Sequence, residues 1–344
     1  MKAKPIKNRI LRRIQKYARR EFRPGYIFDI PVYAYWAFLA IKAGHPLFFS
    51  NINPGMIFSG FAGYGKYDEI VKFNPELRPK TILIKVGDTF EQVEKEIEKE
   101  QILYPFVMKP NMGRTARDIF KIYNEKQLRK HILSMKEEYV IQEFIDYPLE
   151  FGILYYRMPG EEKGHITWVT DKRLVSVEGN GKHTLGELVW NHDRARYYYK
   201  PFKQLHESAW EKILPAGEKF QMHFLGNHCR WSCFYDATNL VNDKLEETID
   251  TLTKTIPWFY YGRYDLKVKS LDDLYAGRFK IMELNGMGTL PVHIFDPDHN
   301  LRFAYKELFR HRNIIYKISK ANRKRGHKFL SIKEARTIID KYGV

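Results

Sequence analysis

Apolar and polar residues recur with two different periods along this chain, which predicts a mixture of helices and strands. Short apolar runs between turn residues predict strands at 81–85, 106–109 and 139–145, and two-residue alternation predicts two more, around 264–268 and around 279–281. Apolar residues spaced helically among charged ones predict helices at 7–22, 91–100 and 305–328. Residues 24–65 show no strand–helix–strand repeat. The pattern therefore places the chain in the α+β class, with helical ends.

Charge is concentrated in those ends. The chain has 58 Lys and Arg against 41 Asp and Glu, a net charge of +17. Residues 1–23 hold ten basic residues and one acidic residue, and residues 305–328 hold nine and one. The sequence between them is close to neutral. This distribution predicts an anionic partner for the termini rather than a strongly basic active site.

The basic helix at 7–22 is followed by an aromatic stretch that includes Tyr33 and Trp36, an order typical of an interfacial membrane anchor. A helix packed on the protein's own body fits the same pattern, and both alternatives stay open. We expect no specific nucleic acid partner, because no known nucleic-acid-binding module is recognisable. With two cysteines and no secretion signal, the expected location is cytoplasmic, extending to a peripheral position at the inner face of the membrane.

Two groups of residues suggest phosphate and metal chemistry. Lys109 ends an apolar strand, and Lys66 follows a glycine-rich turn. A lysine there supplies positive charge to a polyphosphate without demanding a fixed geometry. Asp265, Glu283 and Asn285 lie on two strands predicted to be neighbours, and hard oxygen ligands of this kind suit Mg²⁺. A surface hairpin with scattered acidic residues is the alternative reading of these three residues.

Taken in order, these motifs resemble the ATP-grasp ligases, in the branch of D-alanine–D-alanine ligase and related carboxylate–amine ligases. The resemblance covers roughly residues 66–300 and rests on four segments: Phe106–Pro110, Tyr139–Ile145 followed by Glu150, Gly262–Leu266, and Ile281–Gly286. It implies an ATP-grasp fold, in which two α/β lobes grip ATP. We expect an abbreviated N-terminal region at 1–65, an N-terminal lobe at 66–140, a catalytic lobe at 141–304 and a basic helical segment at 305–344.

The resemblance also implies a role for each matched residue. Lys66 and Lys109 would contact the ATP phosphates, with Lys172 as a third contact. The base and ribose would be bound by Gln142, Glu143, Phe144, Ile145 and Glu150. Two Mg²⁺ ions, with Mn²⁺ as the alternative, would be held by Asp265, Glu283 and Asn285. Arg263 would stabilise the acyl phosphate and the tetrahedral transition state.

Three segments depart from the family pattern or match it loosely. The loop after Lys109 is poor in glycine, and Arg114 and Arg117 are candidates to clamp phosphates in its place. The segment 179–188 resembles a glycine-rich substrate loop, although such a spacing more often marks a turn. The segment 286–291 stands where related ligases hold substrate and matches a D-alanine enzyme poorly.

The function expected from this resemblance is an ATP-dependent ligase acting on a carboxylate and an amine, with an alcohol as the alternative acceptor. The product would form through an acyl phosphate, on a cell-envelope or membrane-surface substrate met through residues 1–23 and 305–328. The alternative is a non-catalytic nucleotide-binding protein at the membrane surface, with a degenerate ATP-grasp fold.

Overall fold

The computed structural model describes residues 25–112, 118–226 and 232–342, so the predicted helix at 7–22 lies outside the described residues. The strands are β1 Thr81–Ile84, β2 Phe106–Pro110, β3 Phe120–Ile122, β4 Tyr139–Glu143, β5 Leu149–Tyr156, β6 His165–Arg173, β7 Ser176–Glu178, β8 Lys219–Gln221, β9 Cys233–Asp236, β10 Tyr261–Val268 and β11 Phe279–Asn285. The α-helices are α1 Gly25–Ala43, α2 Lys66–Ile70, α3 Phe90–Lys99, α4 Glu125–Leu133, α5 Leu185–Asn191, α6 Tyr199–Leu205, α7 Asp243–Lys254, α8 Leu271–Tyr275, α9 Leu301–Lys324 and α10 Ile332–Tyr342. The predicted α+β class is confirmed.

The first sheet is antiparallel and has four strands in the order β1-β4-β2-β3. Side chains alternate between the two faces of a strand. One face, which includes Phe106, Met108 and Ile141, packs into a core with residues of α3 and α4. The opposite face carries Val107, Lys109 and Gln142. Helix α3 begins with a capping box, in which the Thr89 side chain accepts a hydrogen bond from the Gln92 N–H and the Gln92 side chain bonds back to Thr89.

The second sheet has five antiparallel strands in the order β11-β10-β5-β6-β9. One face packs against α7 through a core that includes Ile153, Tyr264 and Leu266. On the other face, Leu154, Trp168, Tyr261 and their neighbours are buried with residues of α1 and α9. Polar and charged side chains occupy the rest of that face. A two-stranded sheet, β7–β8, completes the three sheets of the described chain.

All five predicted strands and the charged helix α3 are present. Three of the strands and the helix agree with the prediction within two residues, whereas β10 begins three residues earlier than predicted and β11 ends four residues later. Helix α9 starts at Leu301 and ends at Lys324, slightly earlier than the predicted 305–328. Its apolar residues, including Leu308, Ile315 and Ile318, are buried on the protein's own body. Its apolar face is therefore not available to a membrane. Within the described ranges, no helix is long and apolar enough to cross a bilayer.

The region without a predicted repeat contains α1 and two 3₁₀ turns, Phe48–Asn51 and Ile57–Gly60. Buried Asn53 fastens this region to the second sheet. Its amide donates to the Tyr261 carbonyl at 2.7 Å, and its side-chain oxygen accepts from the Tyr260 and Tyr261 N–H groups at 2.8 and 3.0 Å. One asparagine thus satisfies three backbone groups at the start of β10.

A second attachment joins this region to the loop after β11. Gly60 has a φ of +73°, and a Cβ there would lie 2.7 Å from the Gly286 Cα. The absence of both side chains allows backbone contact, with Met287 N–H donating to Ser59 O at 2.9 Å. The loop after β11 is therefore held against the N-terminal region.

Candidate active site

A cavity of about 550 Å³ lies between the two large sheets. The first sheet contributes the face that carries Val107, Lys109 and Gln142. The second contributes the polar part of its face, with Glu150, Lys172, Arg263, Asp265, Lys267, Glu283 and Asn285. Lys66, Phe144 and Ile145 also line it. The structure thus brings together eleven of the twelve residues to which the resemblance gives a role; Glu143 is absent from the lining.

Strand β10 presents three charged side chains to the cavity at every second position: Arg263, Asp265 and Lys267. Between them, Tyr264 and Leu266 are buried on the opposite face. Lys267 was not nominated from the sequence. Its Nζ donates to the Ile145 carbonyl at 2.9 Å and so joins the second sheet to the chain that leaves β4. The two-residue period was the signal that could have identified it.

Gly152 allows two charged side chains of the second sheet, Lys172 and Asp265, to contact each other. It lies on β5, between Asp265 on β10 and Thr170 on β6. A Cβ at Gly152 would lie 3.3 Å from Lys172 Cε and 3.4 Å from an Asp265 oxygen. Because glycine leaves this space open, Lys172 reaches across β5 and its Nζ lies 2.9 Å from Asp265 Oδ1. The same Nζ lies 3.4 Å from Glu150 Oε1.

Asp265 is the centre of this charge network. Arg263 donates to both of its oxygens, with Nε 2.8 Å from Oδ1 and a terminal nitrogen 3.1 Å from Oδ2. Asn285 Nδ2 lies 3.4 Å from Oδ2. Burial desolvates Asp265 and acts to raise its pKa, but the charges of Arg263 and Lys172 outweigh burial and hold the pKa below its usual value. The carboxylate is therefore ionised at neutral pH and orients both cations.

Lys109 supplies positive charge from the first sheet. Its Nζ donates to Gln142 Oε1 at 2.9 Å and lies 3.5 Å from the Met282 carbonyl of the second sheet. Burial lowers its pKa from 10.5 to about 8; the Glu283 charge opposes that shift and the Lys66 charge adds to it. Lys109 therefore remains mostly protonated at neutral pH in a site that desolvates it.

The lining carries five cationic side chains and three carboxylates, Glu150, Asp265 and Glu283, which leaves an excess of two positive charges. Two of these cations, Lys172 and Arg263, are paired with Asp265, one of the carboxylates that could hold a metal. A polyphosphate that carries its own divalent cation would match this arrangement in both charge and ligand type.

The residues expected to bind magnesium lie together on β10 and β11. Glu283 pairs in register with Asp265, and Asn285 with Arg263. A bulge follows Asp265 in this pairing, and it leaves both Met282 and Glu283 on the cavity lining. Across the described parts of the chain, no group of three or more His, Cys, Asp or Glu side chains could hold a metal alone.

Mg²⁺ that binds together with a nucleotide needs fewer than three such protein ligands. It is usually held by one or two carboxylates, together with phosphate oxygens and water. Asp265 is paired with Lys172 and Arg263, whereas Glu283 is paired with neither. Two carboxylates and the Asn285 amide oxygen are donors of the right chemistry, so the residues present fit Mg²⁺.

The strand expected to contact the base divides its residues between cavity and surface. Gln142 is buried and lines the cavity, as do Phe144 and Ile145. The Glu143 carboxylate instead accepts a hydrogen bond from the backbone N–H of Lys80, at 3.1 Å. Strand alternation explains this separation. A contact between the Glu143 side chain and a base is therefore not part of the arrangement seen here.

Another part of the cavity is apolar and, apart from Leu290 of the segment 286–291, its residues were not nominated from the sequence. It is lined by Phe224, Leu225, Phe234, Leu290, Val292 and Phe295. Phe234 pairs in register with Lys172, so this apolar part adjoins the charge network. Thr289 also lines it, with a buried hydroxyl that has no hydrogen-bond partner within the described residues. Only the fold could reveal this wall, because its residues come from three separated segments.

One other segment nominated from the sequence, 179–188, stands apart from the cavity. Gly179 packs against the Pro215 carbonyl, and Thr184 caps helix α5, so the segment 179–188 serves as a structural turn and is absent from the lining. Arg114 and Arg117 lie outside the described residues. The loop 286–291 does reach the cavity, through Gly288, Thr289 and Leu290.

No protein family model and no curated protein matches this sequence. The chain is similar to the solved D-alanine–D-alanine ligase from Bacillus anthracis, with 14% identity, 76% of this chain and 68% of that one covered, and a TM-score of 0.41. It is also similar to the VanG D-Ala:D-Ser ligase from Enterococcus faecalis, at 15% identity, 80% and 62% coverage, and a TM-score of 0.39. A third similar structure is a bifunctional glutathione synthetase from Pasteurella multocida. It has 15% identity, 71% of this chain and 35% of that one are covered, and the TM-score is 0.37.

By their names, these three solved proteins are ligases or synthetases. At TM-scores near 0.4 the likeness is partial. The function of this chain is therefore inferred from the residues that line its own cavity.

Proposed function

We propose that this protein is an ATP-dependent ligase that joins a carboxylate to an amine through an acyl phosphate. The observation that carries the proposal is the cavity itself. Cationic side chains from both sheets meet a cluster of oxygen ligands there, at the positions that the motifs nominated. This is the chemistry that a magnesium-bound triphosphate requires.

In this reaction a carboxylate oxygen of the first substrate attacks the γ-phosphorus of ATP, and the bond to the bridging oxygen breaks to release ADP. The amine then attacks the acyl carbon, and phosphate and a proton leave. Mg²⁺, when bound by Asp265, Glu283 and Asn285, would neutralise phosphate charge. Lys66 and Lys109 would hold the phosphates from the opposite side of the cavity.

Arg263 is suited to stabilise the developing oxyanion. It lines the cavity, and Asp265 holds its guanidinium by two hydrogen bonds. A donor fixed in advance needs little reorganisation as negative charge develops, which is the basis of electrostatic catalysis. Lys172, fixed by Asp265 and Glu150, is placed to act in the same way.

The base and ribose of the nucleotide would lie along Gln142, Phe144 and Ile145, with Glu150 near the ribose. The apolar wall beside Lys172 would receive the substrates. Its six apolar side chains favour a carboxylate or amine with an apolar group next to the reacting atom. The first and second sheets would then belong to the two lobes that grip ATP. The boundary expected from sequence, between residues 140 and 141, falls inside β4, which pairs within the first sheet, so the boundary would lie after Glu143. A cell-envelope substrate is the expectation from sequence.

A non-catalytic nucleotide-binding protein is the second candidate, because the glycine-poor segment after Lys109 departs from the family pattern. The paired Arg263 and Asp265 favour catalysis, since binding alone has no need of an oriented cation beside the metal ligands.

The test measures nucleotide binding and turnover separately. Equilibrium binding of ATP is measured with and without Mg²⁺, and ADP release is screened against pooled carboxylates and amines. Glu283→Gln should abolish ADP release and weaken Mg²⁺-dependent binding, whereas Glu161→Gln, at an exposed position, should leave both unchanged. ATP binding without ADP release in any pool would favour the non-catalytic candidate. A failure to bind ATP would refute both.

A further inference from the structure

Helix α1 carries an apolar stripe that faces solvent. Ile30, Tyr33, Phe38 and Ile41 are 61%, 64%, 54% and 81% exposed. Their spacing of three, five and three residues places them along one side of Gly25–Ala43. Single exposed apolar residues are normal on a protein surface, but an aligned set is typical of a binding face. We call these four residues the α1 stripe.

The other side of α1 is fixed to the protein. Val32 and Leu39 are 3% and 1% exposed. Tyr35 donates from its hydroxyl to Asn313 Oδ1 at 2.7 Å, and the Arg312 guanidinium lies 4.6 Å from the centre of the Trp36 ring. The helix is thus held on α9, and its orientation keeps the α1 stripe outward. A helix that is apolar all round is normally buried all round, and this one is buried on one side.

The sequence around the α1 stripe is strongly basic. Residues 1–23, which end just before α1, carry ten Lys and Arg and one Glu. Helix α9, against which α1 packs, exposes further basic residues, including Arg302, Lys306, Lys317 and Lys320. Dense positive charge beside an apolar, aromatic-containing face is the combination that binds an anionic bilayer surface.

A second copy of the chain is a poorer occupant of this face. Two copies of the chain each carry a net charge of +17, and their repulsion would oppose association. Lipid headgroups of opposite charge relieve that repulsion. The charge therefore favours lipid over self-association.

We propose that the α1 stripe docks on the surface of an anionic lipid bilayer, with Ile30, Tyr33, Phe38 and Ile41 among the headgroups and the neighbouring basic residues on anionic lipid. Helix α1 would lie along the surface. The sequence already suggested an anchor that includes the aromatic stretch with Tyr33 and Trp36. The proposal specifies which side of that stretch faces solvent, and it leaves out the apolar side of α9, which is buried. The proposal does not depend on the reaction in the cavity.

Vesicle flotation of the full chain tests the proposal, with phosphatidylcholine vesicles that contain or lack phosphatidylglycerol. The wild type should bind the anionic vesicles, and binding should fall as salt is raised. Ile41→Asp should weaken binding about tenfold, because it removes one apolar contact and adds a negative charge. Leu133→Asp is the matched control: Leu133 is 88% exposed at the end of α4, and its replacement should leave binding unchanged.

Four outcomes would overturn the proposal. They are absence of wild-type binding, equal binding to both vesicle types, equal binding by Ile41→Asp and the wild type, and equal loss in both variants. Sedimentation without vesicles adds a further check, since a concentration-dependent dimer that Ile41→Asp removes would assign the face to a second copy. ADP release in solution should be the same for Ile41→Asp and the wild type, so failure here and failure of the ligase proposal are distinguishable.

Discussion

Replacing Lys109 with Met should stabilise the protein while removing its ability to bind nucleotide. Burial lowers the pKa of Lys109 from 10.5 to about 8. At about 1.4 kcal/mol per pKa unit, holding this ammonium protonated in the folded state at neutral pH costs on the order of 3 kcal/mol. Methionine has a similar length and no charge to desolvate, so Lys109→Met should raise the free energy of unfolding by about that amount at pH 7.

The sign of the pH dependence follows from the same shift. The folded pKa of Lys109 lies below the unfolded value, so the unfolded chain holds more protons between about pH 8 and 10.5. The stability of the wild type therefore rises through this window relative to Lys109→Met. The advantage of the variant should be largest below pH 8 and should vanish near pH 10.5.

Urea denaturation at pH 7 and at the upper end of this window measures the difference, and equilibrium ATP binding at pH 7 measures the loss of function. Lys85, exposed after β1, is the matched control. Lys85→Met should change the unfolding free energy by less than about 0.5 kcal/mol. A Lys109→Met protein less stable than the wild type at pH 7, or an advantage that persists at high pH, would refute the reasoning. Retained ATP binding would remove Lys109 from the phosphate site.

Two further substitutions test the supports of the site. Asp265→Asn should leave Lys172 and Arg263 buried without their carboxylate, so it should destabilise the fold by about 3–5 kcal/mol in urea denaturation and abolish ADP release. The pKa of Asp265 is held below its usual value, so wild-type stability should fall relative to Asp265→Asn as pH drops through that lowered pKa. Gly60→Ala should destabilise the protein by at least about 1 kcal/mol more than Gly44→Ala. Both glycines have a positive φ, but only at Gly60 does a new Cβ meet another backbone. Equal losses for the two glycine variants would show that contact with the loop after β11 is unimportant.

Features that depend on a local pattern of residues could be predicted from the sequence, and features that depend on distant contacts could not. The strand that contains Lys109 and the alternation at 263–267 were readable because a strand repeats its pattern every two residues. Helix α1 was missed, since apolar residues on all its sides leave no helical period. The side chain of Glu143 was expected to contact the base, and strand alternation directs it to the Lys80 N–H instead.

The sequence by itself indicated the α+β class, the order of the motifs, eleven residues that line the cavity and the concentration of charge in the ends of the chain. Only the tertiary structure decided which of these residues meet. Lys172 reaches Asp265 because Gly152, on the strand between them, has no side chain. The apolar wall beside them, and the exposure of one side of α1, likewise arise from segments far apart in the chain. Such contacts depend on strand order and packing between sheets, which no local pattern of residues encodes.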